Sequence, residues 1–360
     1  MNTPTPTVQD LHVLLTGDLI LDEPGPDAYF DPARAVLQAA DVVVGHVEVP
    51  HTHRGLESST DVPAPPANPD HLAALPRAHV HIATLAGNHM HDSGPQGIAD
   101  TVATLQGLGL ATTGAGMGLA QARTPAVVER QGRRVGVLSY NCVGPREGWA
   151  TSRKPGCAYV KVLTHYELDH ASPGGPPTIY TFAAPESLEA MAADIAALRP
   201  QVDLLLVALH KGVGHVPARI EHYEFAVGRA AIDAGADAVV GHHAHIGRGV
   251  ELHHGRPIYH GLGNFVTVTH ALTVEGNASP ERLAWARKRQ QLFGFAPDPR
   301  MPAYPFHPDS RHTWLASLKL RADGTLQAGL LPCWIDDDAR PVPLAPDDAR
   351  TPATVAYLRQ

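Results

Sequence analysis

The 360-residue chain carries 28 Lys and Arg against 36 Asp and Glu, a net charge of −8 with 23 His taken as neutral. That mild acidity, without a cluster of basic residues, argues against a nucleic-acid partner. Three scattered cysteines, Cys142, Cys157 and Cys333, suggest neither a disulfide framework nor a thiolate metal site. The opening MNTPTPTVQD lacks a leader pattern and no apolar run reaches membrane-spanning length, so the expectation is a cytoplasmic protein without a membrane anchor.

Taken in order, the predicted elements repeat one device: an apolar strand that runs out into polar groups. Residues 12–16 form a short strand stopping at Gly17-Asp18. Residues 32–40 read as a helix, and 41–45 as a buried strand leading directly to His46 and Glu48. The Pro-rich stretch 50–70 reads as a loop over or beside those groups. Residues 79–85 give a third strand, ending in Gly87-Asn88-His89 with Asp92 close behind. A helix over 97–108 follows, then a hairpin pairing 126–128 with 134–140 around Gln131-Gly132. The pattern dissolves between 141 and 177 and resumes with a helix over 187–199, a buried strand over 202–209 that ends at His210, and a helix over 222–235.

The richest stretch comes next. The apolar run 238–240 stops at Gly241 and is followed by His242, His243 and His245. In extended backbone, side chains two apart share a face, which predicts that His243 and His245 point the same way. A second apolar run, 257–259, follows a His-Gly-Arg turn and closes on Gly261–Phe265, as a hairpin framing the site would. Residues 278–314 read as an irregular aromatic and Arg-containing segment, before strands over 314–320 and 326–331. With no linker composition or repeat, residues 1–360 read as one α/β domain with a single composite site.

That site gathers Asp18, Glu48, Asn88, His89, His210, His243 and His245 at strand ends. Carboxylates, an amide oxygen and imidazoles suit two divalent ions such as Mn, Zn, Fe or Co. A bridging carboxylate, Glu48 or Asp18, is the natural link between them.

The segments GDLIL (17–21), HVEVPHT (46–52), GNHMHDSG (87–94), HKG (210–212), GADAVVGHHAHI (235–246) and YHGLGNF (259–265) together resemble the CapA family of poly-γ-glutamate capsule-synthesis proteins. The resemblance implies a calcineurin-like metallophosphoesterase fold, a two-sheet sandwich flanked by helices in four layers, α/β/β/α. It implies one metal on Asp18, Glu48 and His245, and a second on Asn88, His210 and His243, with Glu48 shared. His89 would be the acid above the metals, oriented by Asp92. Two positions depart from the pattern: Ile20 replaces a His, leaving the first metal short of a ligand, and His46 replaces an Asn.

For function, the resemblance implies a metal-dependent enzyme that hydrolyses or transfers a peptide or poly-γ-glutamate-like amide, with hydroxide on the metal as nucleophile. An alternative is a peptide epimerase that inverts a Cα through two bases on opposite faces. A phosphoesterase, or a non-catalytic capsule-assembly protein with structural metals, completes the set. Arg311, His46 and His260 are the substrate-binding candidates, Arg311 as a clamp for a terminal carboxylate.

Overall fold

The architecture comes from a computed structural model that describes residues 9–59, 62, 66–168, 177–271, 273 and 279–359. The strands that carry the fold are β1 (Leu11–Leu21), β2 (Val42–Val47), β3 (Ile82–Thr84), β4 (Ala111–Thr113), β5 (Ala126–Arg130), β6 (Arg133–Asn141), β7 (Leu204–Lys211), β8 (Ala238–His243), β9 (Gly247–His253), β10 (Arg256–Leu262), β11 (Asn264–Val268), β12 (His312–Leu320), β13 (Leu326–Ile335) and β14 (Pro341–Pro343). The longer helices are α1 (Gly94–Gly107), α2 (Pro185–Leu198), α3 (His222–Asp233) and α4 (Pro280–Phe293).

Two sheets form. The first runs β14-β13-β12-β1-β2-β3-β4, with β11 also pairing β1; the second runs β9-β10-β8-β7-β6-β5. Alternation along the strands explains why they stack. Leu11, Val13 and Leu15 of β1 face Val137 of β6, Leu204 and Leu206 of β7 and Val240 of β8 in a core between the sheets. Leu14 and Val43 face outward and pack with Ile98, Val102 and Leu105 of α1. On the far side, Leu205, Val207 and Val239 pack with Met191 and Ile195 of α2 and Val227 of α3. The layers are therefore helix, sheet, sheet, helix, the arrangement expected from the sequence.

The parallel pairs β1·β2, β2·β3, β6·β7 and β7·β8 all run in one sense within their sheets, so their C-terminal ends collect on one side. Asp18 sits where β1 slips register against both β2 and β11, a bulge that turns its carboxylate out of the ladder. The slip needs Gly17: a Cβ there would lie 2.0 Å from the Gly263 carbonyl oxygen.

Three sequence expectations change. The segment read as irregular over 278–314 contains α4; its residues are good helix formers, but it is polar almost all round, so no apolar stripe announces it. The helix expected over 32–40 is shorter, an α-helix over Arg34–Gln38 preceded by a 3-10 turn over Asp31–Ala33. The unassigned region 141–177 contributes a strand, Val162–Glu167, paired with Thr178–Ala183, while 169–176 lie outside the described residues. Residues 60, 61 and 63–65 of the expected 50–70 loop are likewise outside them; its flanks close by a bridge between His51 and Ala67.

Candidate metal centre

The strand ends deliver the donors. β1 brings Asp18, the residue after β2 brings Glu48, the turn after β3 brings Asn88, β7 brings His210, and β8 brings His242 and His243. Register aligns them: Asp18 is opposite His46, and His210 opposite His242. Donor atoms converge in three overlapping triads, Asp18–Glu48–His245, Glu48–His210–His243 and Asp18–His46–His210, within each of which they lie within 4.8 Å of one another.

Extended backbone does not explain how His243 and His245 meet the others. β8 ends at His243, and both residues take left-handed conformations, with φ of 82° and 54°. Two non-glycine residues there are costly, which marks a site where the fold overrides local preference. The turn leaves their ring centres 6.2 Å apart and tilted by 48°, so they serve different triads rather than one strand face.

A chain of hydrogen bonds fixes His245. Its Nδ1 lies 2.9 Å from Asn264 Oδ1, Asn264 Nδ2 donates to Tyr304 Oη at 2.9 Å, and Tyr304 donates to the Ser310 carbonyl at 2.9 Å. That leaves His245 Nε2 directed to Glu48 Oε1 at 3.3 Å, while Nδ1 is also 3.4 Å from Asp18 Oδ2. Outer hydrogen bonds of this kind select a ligand's tautomer and ring angle. Burial opposes charge on His245, yet Glu48 and Asp18 raise it well above the ordinary imidazole value. Burial also works to raise Asp18, but His245 outweighs it and holds the carboxyl down at about 2. Burial and neighbouring imidazoles push His210 and His46 well below the ordinary value, and His243 to about 3. His46, His210 and His243 are thus neutral, the protonation state metal binding needs, whereas His245 holds a proton between Asp18 and Glu48 that an arriving cation would have to displace.

The donor set fits divalent ions on a second count. Asp18 Oδ2, both oxygens of Glu48, His46 Nε2, His210 Nδ1, His242 Nδ1 and His243 Nδ1 are buried without a hydrogen-bond partner. So many orphaned polar atoms in one nest cost several kcal/mol unless a cation satisfies them. Asn88 joins the nest through its Oδ1, 2.7 Å from His210 Nε2. Gly144, at φ +78°, packs against Asn88 where a Cβ would come within 2.4 Å of the Asn88 Cβ.

His89 and Asp92 stand above the nest, with His89 Nδ1 2.7 Å from Asp92 Oδ2. Both line a cleft of about 600 Å³ with Glu48, His245, Ile20 and Phe306. Ile20 thus offers an apolar wall at the position where the resemblance has a His.

None of the three substrate-binding candidates, His46, His260 and Arg311, lines the cleft. His46 is buried among the donors, its Nδ1 3.0 Å from Thr84 Oγ1 and its ring stacked on His242 at 4.4 Å. Its ring nitrogen lies in a candidate donor triad with Asp18 and His210. His260 is buried beneath the sheet end, accepting from Lys211 Nζ at 3.1 Å and lying 3.3 Å from Glu251. Arg311 is committed to the Ile335 carbonyl and Asp337 and lies over Trp334; it does not line the cleft. His215, which the sequence did not single out, and Arg289 of the aromatic and Arg-containing segment do line it. Neither belongs to a motif, and only the folding of distant segments brings them there.

The family model described as bacterial capsule synthesis protein PGA_cap matches residues 12–269. A probable polyglutamine synthesis accessory protein of Mycobacterium tuberculosis is 32% identical over 240 residues, 65% of this chain and 58% of the relative. The PGA biosynthesis protein CapA of Bacillus subtilis is 26% identical over 249 residues, covering 69% and 58%. The chain thus matches under three fifths of the length of these relatives. Among solved structures, the calcineurin-like phosphoesterase YfkN of Bacillus subtilis is similar at a TM-score of 0.38 and 11% identity, covering 98% of this chain and 99% of that one; a likeness of that size says nothing about residues or activity. The family match spans most of the fold, every strand end that contributes a donor and the orphaned nest itself, and the chain belongs to the bacterial capsule synthesis protein PGA_cap family.

Proposed function

We propose that the protein is a metal-dependent enzyme that hydrolyses or transfers an amide of a peptide or poly-γ-glutamate-like chain. The observation that carries this reading is the buried nest of unpartnered carboxylate and imidazole atoms opening onto a cleft that also holds the His89–Asp92 pair. Asp18, Glu48 and His245 would hold one divalent ion, and Asn88, His210 and His243 the other, with Glu48 shared. His46 is a further donor beside Asp18. Such ions supply Lewis acidity, acidifying water and polarising a carbonyl. The chain's own residues do the rest. Asp92 engages His89 Nδ1, which makes Nε2 the atom that protonates the departing amide nitrogen. Ile20, Val49 and Phe306 wall the cleft with apolar surface that limits bulk water. The names of the relatives, in polyglutamine and PGA biosynthesis, favour an amide polymer as substrate. Residues 1–360 are taken as one domain; no helix among the described residues is long and apolar enough to cross a membrane.

One observation favours a second reading, inversion of an amino-acid Cα. His89 and His215 line the same cleft, so two imidazoles are present where one must remove a proton and the other return one. Mass spectrometry of γ-glutamyl and α-linked peptides incubated in D₂O with Mn²⁺-loaded protein separates the two. Shorter products support hydrolysis. A full-length product carrying one added deuterium supports inversion. An unaltered peptide from metal-loaded protein defeats both and leaves a phosphoesterase or an assembly protein.

A further inference from the structure

The cleft does not end at the metal nest. His215 and Arg289 are shared walls between it and a second cavity of about 330 Å³, which is otherwise lined by Trp285, Gln290, Phe293, Phe295 and prolines. Trp285, Arg289 and Phe293 are four apart on α4, so they form one stripe on a single face of the helix. The guanidinium carbon of Arg289 lies 5.0 Å from the Trp285 ring centre and 4.8 Å from that of Phe293. His215, buried with its Nδ1 unpartnered, closes the chamber with its ring 5.2 Å from Phe293 and 5.1 Å from Phe295.

Charge decides what this junction takes. Asp22, Glu48 and Asp92 line the larger cavity, and Arg289 is the one Arg or Lys lining either cavity among the described residues. A guanidinium presents a planar fork that matches a carboxylate through two parallel hydrogen bonds. The aromatic chamber beside it has no acidic lining residue and suits an apolar side chain. We infer that Arg289 receives the terminal carboxylate of a peptide whose last side chain, large and apolar, occupies the Trp285–Phe293–Phe295 chamber. The peptide then runs from Arg289 toward His89 and Glu48, which places a carbonyl near the chain terminus closest to the metal nest. This deepens the proposed amide chemistry and rests on it for direction, but the docking itself needs no metal.

The test is therefore made on the full chain after chelation, by calorimetry with the dipeptide Ala-Phe, its C-terminal amide and Ala-Ala. Ala-Phe binds, while the amide and Ala-Ala each bind at least tenfold more weakly. Arg289→Gln weakens Ala-Phe by a similar factor and leaves the amide unchanged, because the lost partner is the same. Arg289→Lys recovers only part of the affinity, since it restores charge without the fork. No binding of Ala-Phe, equal binding of acid and amide, or an Arg289→Gln variant with unaltered affinity overturns the carboxylate assignment. Ala-Ala binding as well as Ala-Phe overturns the aromatic chamber. Failure of these measurements leaves the metal content intact, whereas failure of the metal reading shows in elemental analysis and leaves them intact.

Discussion

Replacing Glu48 by Gln is the sharpest probe of the metal nest. The side chain is wholly buried, its oxygens have no partner beyond His245 Nε2 at 3.3 Å from Oε1, and it is a member of two of the three donor triads. Gln keeps the shape, removes the charge and puts an amide where a second lone-pair oxygen stood, so both proposed ions lose a ligand together. A ligand present at 100 times its Kd stabilises the folded state by about 2.7 kcal/mol, so two ions contribute roughly 5 kcal/mol. At about 1.3 °C per kcal/mol for a chain of 360 residues, Mn²⁺ raises the melting midpoint of the chelated protein by about 7 °C. Glu48→Gln retains less than half of that shift. His46→Ala retains more than half, because His46 takes part in one triad only. Thermal melts with and without Mn²⁺, paired with elemental analysis, give both numbers. A Glu48→Gln protein with two ions per chain and the full midpoint shift refutes the shared-carboxylate geometry.

Three further outcomes are expected. His89→Gln slows turnover by roughly 10²–10⁴-fold with metal content unchanged, and Asp92→Asn by less, because it perturbs the orientation of His89 without removing it; steady-state kinetics with elemental analysis checks this. Gly144→Ala drives a Cβ to 2.4 Å from Asn88 at a left-handed φ, so it lowers stability by about 1–3 kcal/mol and reduces metal occupancy, both read by denaturant titration and metal analysis. Stability falls in acid partly through His51, which burial pushes down to about 4 from 6.5. Because the unfolded chain takes up that proton first, this contribution is intact above pH 6.5 and is lost as pH drops toward 4, a difference of about 3 kcal/mol; urea titrations at pH 7 and 4 show a smaller loss in His51→Gln than in wild type.

Much of this molecule was legible from local pattern. An apolar run that ends in Gly or another small residue and then in a polar group is a strand delivering a side chain to a sheet end, and that reading located Asp18, Glu48, Asn88, His210 and His243. Their periodicity also separates the three cores, because alternate residues of β1 face the other sheet and the helix layer. What local pattern could not carry was direction. His243 and His245 look like neighbours on one strand face, yet positive φ at both sends them to different triads, a backbone state selected by packing against Asp18, Glu48 and Asn264 rather than by their own preferences. His46 looked like a group for substrate, but the register of β2 against β1 and β3 turns it inward onto Thr84 and His242. The helix 280–293 is polar enough to read as a solvated segment. Only the position of that helix against the His215 loop makes a chamber of Trp285, Arg289 and Phe293, because a cavity is a property of two distant surfaces and neither one's sequence records the other.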